Sequence, residues 1–506
     1  MGELRLRHCI FLRSLKNPII RPCILLIASI LLSFLVLNCR ASSTQLENRI
    51  MNIENGLLKA IRIKSQPSEK LTIVERMRHY KIPGVSIAFI DDYRIEWVRC
   101  YGLRERGRSS SITSRTLFQA ASISKPITAA AVLHFVEKGV LELDRNVNDR
   151  LISWKVPENE YTAHSKVTLR GLLNHSAGVT VHGFNGYAKG RPVPTLIQIL
   201  DGKEPANSEP IRVGIVPDTQ WEYSGGGYTI IQKLLIDVLK MPFPLIMQDT
   251  ILSPLKMRHS TYDQKLPSDL INLAATGHKP DGKPVPGGWH IFPEMAAAGL
   301  WSTPSDIARF AVEIMKSAQG KSARVVSRKM TDQMLSIHHG DYGLGFFLHG
   351  HGESLQISHA GGHEGFSCYL VAYPQRGQGV VIMTNAENGM PLYSEILRSI
   401  AKEYSWEDFQ PKEKVLVEVD PKILDLYLGR YQISPDFIVS IFKKENRLFS
   451  QANNDAMLDE LFPESDKDFF AIESGYEISF AKDKEGKVTG FTVNSALEKV
   501  FARKID

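Results

Sequence analysis

A chain of 506 residues exceeds one ordinary domain, and its 43% apolar and 23% charged residues exclude a disordered or fibrous protein. The formal charge of +6 does not point to nucleic acid. It sits almost wholly at the N-terminus, where Arg5, Arg7, Arg13, Lys16, Arg21 and Arg40 face only Glu3, and no basic stripe follows.

Those cations lead into an uncharged run, Cys23 to Leu37. As a helix it would reach only about 22 Å, short of the ~30 Å hydrocarbon core. With Cys39-Arg40-Ala41-Ser42 behind it, the run reads as an export leader over residues 1–41. Cleavage after Ala41, lipidation at Cys39 and retention as an anchor all fit the residues. Each leaves the rest of the chain outside the cytoplasm, periplasmic or membrane-anchored, with membrane contact only through this segment. Beyond the leader only Cys100 and Cys368 remain, and they fit either one disulfide or two buried thiols.

Residues 45–80 are expected to be amphipathic helix, with Leu46, Ile50, Ile53, Leu57 and Ile61 at spacings of three and four, broken at Ser65 to Ser68. Ile82-Pro83-Gly84-Val85 opens a strand, Asp91-Asp92 a turn, and Arg94 to Tyr101 a return strand. A second helix is predicted to start within Phe118-Gln119-Ala120-Ala121-Ser122-Ile123-Ser124-Lys125-Pro126. Proline is tolerated in a first turn, and apolar residues recur at helical spacing through Val136. Ser122 and Lys125 then lie one turn apart on one face. A serine hydroxyl needs a neighbouring base to become a nucleophile, and an uncharged lysine is such a base. The spacing alone is common: Ser253/Lys256, Ser399/Lys402, Ser440/Lys443 and Ser479/Lys482 share it.

Val167 to Gly178 reads as a helix ended by glycine, with His175 a core or capping histidine, and 178–195 as a loop. Tyr223 precedes Gly225-Gly226-Gly227 on a polar loop, before an apolar helix from Thr229 to Leu239. Leu355 to Tyr373 reads as strand, glycine turn, strand, and places His359-Ala360-Gly361-Gly362 at a sheet edge, where free N–H groups can bind an oxyanion. The histidines between 338 and 363 have no His-Glu-x-x-His spacing, so neither metal nor cofactor is expected. Residues 403–420 are charged and proline-punctuated, a linker, and 421–506 alternate in short runs typical of a small all-β domain.

Taken jointly, these motifs resemble the serine β-lactamase and penicillin-binding protein superfamily, in its class C β-lactamase-like branch. The resemblance covers about 45–402 and rests on Ser122 with Lys125, on Tyr223, and on His359-Ala360-Gly361. Ile82-Pro83-Gly84-Val85, Leu172 to Gly178 and Tyr342-Gly343-Leu344-Gly345 support it. It implies an α/β (α+β) fold, with an antiparallel sheet flanked by helices, a mostly helical lobe and a small C-terminal barrel. It also implies acyl transfer through a serine ester. Ser122 would attack, Lys125 and Tyr223 would share the proton, and the N–H groups of Ser122 and Gly362 would hold the oxyanion. His359, Gly361 and Gly225 would complete the substrate side. The substrates implied are a D-Ala-type peptide, an ester or a β-lactam, with peptidoglycan among the partners. Two departures lean away from a dedicated β-lactamase: Gly225 stands where the family carries asparagine, and His359 where many members carry lysine. The alternatives are such a β-lactamase, or a non-catalytic penicillin- or peptidoglycan-binding relative. An α/β-hydrolase is excluded for want of a Gly-x-Ser-x-Gly elbow.

Overall fold

The computed structural model describes residues 44–64, 66–67, 69–435, 437–453, 458–494 and 499–506. The leader lies outside them. At the centre is a six-stranded sheet of β1 (Gly84–Asp91), β2 (Arg94–Gly102), β3 (Phe347–His349), β4 (Gln356–His363), β5 (Phe366–Tyr373) and β6 (Gln378–Thr384). The order is β2-β1-β6-β5-β4-β3, antiparallel throughout.

Period-two alternation decides which layer each strand residue enters. Val85, Ile87 and Phe89 point to one face with Val380 and Ile382. There they meet residues 44–54, the helix Ile73–His79 and a long helix near the end of the domain, Met390–Glu403. Ala88, Ile90, Val381 and Met383 point to the other face, the core shared with the helical lobe. Four helices of that core matter here: α1 (Ser124–Glu137), α2 (Gly225–Leu239), α3 (Met295–Ala298) and α4 (Pro304–Ala318). Buried on both faces, β1 needs apolar residues at every position from Val85 to Ile90 except Ser86.

Local chemistry moves several boundaries. The helix expected over 45–80 is two helices, 44–54 and Ile73–His79, with a strand, Ile61–Ile63, between them. That strand pairs in parallel with Lys412–Lys414, a partner no local pattern announces. Thr72 and Glu75 form a capping box that starts the second helix. The glycines after Ser224 lie inside α2, because the Ser224 hydroxyl caps Gly227 N–H. The segment 403–420 is packed rather than a free tether. Trp406 is buried and donates to Gln378, and Tyr373 donates to Asp408. Cys100 and Cys368 are free thiols.

The C-terminal residues close into an eight-stranded antiparallel barrel running from Gly429 to Lys504. Its loop at Glu473 docks on the domain of the six-stranded sheet. The Glu473 carboxylate pairs with Arg76 and Lys59 and accepts from the Tyr80 hydroxyl at 3.0 Å. Arg76 also holds Glu395, with contacts of 2.8 and 2.6 Å, and both side chains are buried. Removing one partner of such a pair strands the other charge in the interior. Arg76→Ala is expected to cost about 3–5 kcal/mol, read as a lower midpoint in chemical denaturation.

Candidate active site

Ser122 sits in a single 3₁₀ turn, Ala121–Ile123, which runs directly into α1. The residue before it, Ala121, is held at φ +48°, a left-handed conformation that L-residues avoid. Three contacts fix that turn. Ser124 Oγ donates to Ala121 C=O at 2.6 Å and accepts from Leu300 N–H at 3.0 Å. Ala120 N–H donates to Leu300 C=O at 2.8 Å. From the other side β4 presses in at Gly361, where any Cβ would stand 2.4 Å from Ala120 O and 2.6 Å from Cys368 Sγ.

Lys125 is buried one turn on, with Nζ 2.9 Å from Ser122 Oγ and 3.0 Å from Ala297 C=O in α3. Its other close neighbours are the ring of Tyr223, with the centroid 4.8 Å from Nζ, and that of Tyr228 at 5.8 Å. Burial lowers its pKa to about 7. A large share of the amines is therefore uncharged at neutral pH.

Tyr223 leads into α2, and its phenol lies beside the Ser122 hydroxyl, which favours the phenolate but less than burial opposes it. Burial holds its phenol well above the ordinary value, so it keeps its proton at neutral pH. Its position is clamped by His175, which the sequence placed only as a core or capping histidine. His175 C=O accepts from Glu222 N–H at 2.8 Å, and Nδ1 accepts from Ser224 N–H at 3.1 Å. The residues on either side of Tyr223 are thus tied to one imidazole residue. His175 also lies 4.4 Å from the Tyr223 ring, between centroids. Phe347 of β3 stacks on the tyrosine at 6.5 Å and 10°.

The third motif divides between two faces of β4. Gly362 is exposed, on a stretch of edge that β3 leaves unpaired beyond Ser358. Gly361 faces inward against the Ser122 turn. His359 is buried: Nδ1 donates to Ala360 C=O at 2.6 Å, which leaves Nε2 to accept from Tyr342 OH at 3.2 Å. Burial lowers its pKa to about 3, so it is neutral and its ring is already engaged. Gly225 donates its N–H to His182 C=O at 2.9 Å, and a Cβ there would lie 3.0 Å from the Phe184 ring. No side-chain amide replaces the missing asparagine at that position. Glu294, which starts α3, was invisible in the sequence. It is buried, and its carboxyl is pushed up to about 8.

This is the fold and side-chain cluster of a serine hydrolase in which a lysine, not a histidine, contacts the serine. The family model described as Beta-lactamase matches residues 70–404, and the chain belongs to that family. A second model, a domain of unknown function called DUF3471, matches residues 413–504. Penicillin-binding protein 4* of Bacillus subtilis is 23% identical over 405 residues, covering 75% of this chain and 86% of that protein. Penicillin-binding protein 4 of Amycolatopsis lactamdurans is 24% identical, covering 65% and 87%. Among solved structures, the octameric penicillin-binding protein homologue from Pyrococcus abyssi aligns with a TM-score of 0.58 at 21% identity, covering 85% of this chain and 98% of that one.

Because the Ala120 carbonyl and the buried Cys368 side chain crowd Gly361, Gly361→Ala is expected to destabilise the domain by about 1–3 kcal/mol, as overpacking does. A thermal melt measures that loss, and slower reaction of the enzyme with a serine-directed label would accompany it.

Proposed function

We propose that the protein is an exported hydrolase that forms an acyl-enzyme at Ser122 on an amide or ester carbonyl. The observation that carries this reading is the 2.9 Å separation of Ser122 Oγ from an amine whose pKa is lowered to about 7. Lys125 takes the hydroxyl proton as Ser122 attacks. The phenol of Tyr223, beside Ser122, passes a proton to the leaving group and regains one when water attacks the ester. The N–H groups of Ser122 and Gly362 receive the oxyanion. Gly361 sets how closely that strand approaches the serine.

The substrate class follows from what the cleft lacks. Gly225 offers no amide to an acyl-side carbonyl, and the ring of His359 is neutral and engaged, so a substrate carboxylate finds no cation there. The missing amide counts against a β-lactam's acyl side chain, and the missing cation counts equally against the carboxylate of a β-lactam and of a D-Ala-D-Ala peptide, so an ester fits best and a D-Ala-type peptide next. The two relatives named as penicillin-binding proteins support a substrate of the peptide or β-lactam class as well. The basic, apolar leader supports action outside the cytoplasm.

Labelling with a fluorophosphonate and with a fluorescent penicillin tests the reading. Ser122→Ala is expected to abolish covalent labelling, at least a thousandfold in rate. In the unaltered enzyme the labelling rate should rise with pH through about 7, reaching a plateau above pH 8, because the base is the free amine. At pH 6 it should be about tenfold below that plateau. A protein that binds penicillin without covalent labelling would instead be a non-catalytic relative. Turnover of a cephalosporin faster than of a D-Ala-D-Ala peptide and a short-chain ester would overturn the substrate assignment.

A further inference from the structure

Among the described residues, the side chains of the barrel between Gly429 and Lys504 pack into a plug at one end. There the Tyr427 ring lies flat on Phe480, centroids 3.9 Å apart, with Tyr431 and Phe491 beside them. Leu448, Leu461 and Phe469 complete this plug. The other half encloses a cavity of about 250 Å³, just under the usual range of small-molecule sites and room for one slender chain. Its wall is aliphatic and aromatic, formed chiefly by Ile433, Val439, Ile441, Ile478, Phe491 and Val493. Phe437 stands at the wall's rim and is 39% exposed, an apolar ring with water on one side. The interior of an eight-stranded barrel has room for packed side chains or for one small ligand. Here the plug uses one half and leaves the other.

One polar cluster interrupts the apolar wall. The Ser450 and Tyr476 hydroxyls share a hydrogen bond, and the Asp459 carboxylate lies near the tyrosine. Ser450 is 4% exposed, so this cluster faces the cavity rather than bulk solvent. Among the described residues, the cavity lining contains no lysine, arginine or histidine. A carboxylate head group would therefore meet an acid and no cation. A hydroxyl or amide head can exchange hydrogen bonds with the serine and tyrosine at no such cost.

We propose that the C-terminal barrel is a binding site for a single-chain aliphatic molecule with an uncharged hydrogen-bonding head, an alcohol or an amide. Its chain lies along Val439, Ile478 and Val493, and its head reaches Ser450 and Tyr476. The site is independent of the chemistry at Ser122.

Calorimetric titration of the full chain with octan-1-ol, decan-1-ol, dodecan-1-ol and dodecanoate tests this. Saturable one-to-one binding is expected, about fourfold tighter for each added methylene. Dodecanoate should bind at least ten times more weakly than dodecan-1-ol. Val439→Trp and Val493→Phe, which fill the cavity from opposite strands, should each abolish binding while leaving the far-ultraviolet circular dichroism unchanged. If one of them fails to fold, the other decides. Absence of saturable binding by every alcohol, or undiminished binding in a folded cavity-filling variant, would overturn the proposal. Equal affinity for dodecanoate and dodecan-1-ol would overturn it too, by removing the role assigned to the polar cluster.

Discussion

The site depends on an amine buried without an acid. Lys125 is sealed among Ser122, the Ala297 carbonyl and the rings of Tyr223 and Tyr228, and no carboxylate pairs with it among the described residues. Elsewhere the same fold treats cations differently. Lys233 is ion-paired to Asp237 at 2.5 Å, and Arg76 lies between Glu395 and Glu473. An acid beside Lys125 would favour its charged form and leave no lone pair for the serine proton. The π faces of the two tyrosines do favour the ammonium, but weakly compared with desolvation. Burial decides the balance, which is why the pKa falls to about 7 instead of staying near the usual lysine value.

Burying that amine requires the sheet and the helical lobe to meet closely. Gly361 is where they do, since side-chain-free backbone of β4 lies against the carbonyl of Ala120. The strained φ of Ala121 persists because Ser124, Leu300 and β4 leave the turn no room to relax. Strain before the nucleophile and missing bulk on the strand opposite are two sides of one contact. The same strand contributes Gly362 at its exposed edge, so the packing that fixes the serine also sets the distance to the candidate oxyanion donor.

Much of this was legible in the sequence, and the rest was hidden for physical reasons. Ser122, Lys125 and Tyr223 announce themselves because each sits at a helix start with a recognisable local pattern. The hairpin from Gly84 to Gly102 and the strands around Gly361 follow from alternation and turn residues. His175 was visible as a capping residue, but its clamp on both neighbours of Tyr223 is tertiary, across 47 to 49 positions of chain. Glu294 and the Ala297 carbonyl carry no motif at all. The split of the 45–80 segment escaped because Ile61 continues the helical stripe of Leu46, Ile50, Ile53 and Leu57 as well as it fits a strand with Ile63. Only the distant Lys412–Lys414 decides between the two. His359 is the instructive case: its residue type fixed its neutrality, but only the packing of Tyr342 shows that its ring is unavailable to a substrate.

The barrel is tied to the hydrolase domain through the loop that also lines its cavity. Glu473 reaches the buried Arg76, and three residues later Tyr476 turns into the barrel wall. Lys412 and Lys414, on the strand paired to Ile61–Ile63, hold Glu477 at 2.7 and 3.0 Å from the next strand. Most of these ion pairs are partly exposed and individually weak, but the Arg76–Glu395 pair is buried, and Glu473 joins it from the barrel side. Loop position and docking are therefore a single degree of freedom. Any molecule in the cavity that prefers one placement of Tyr476 must shift the docking equilibrium by that preference, and by no more. Moving the barrel away would take Glu473 from Arg76, Lys59 and the Tyr80 hydroxyl while the Arg76–Glu395 pair stays closed, so the coupling available to such a molecule is bounded by the Glu473 contacts.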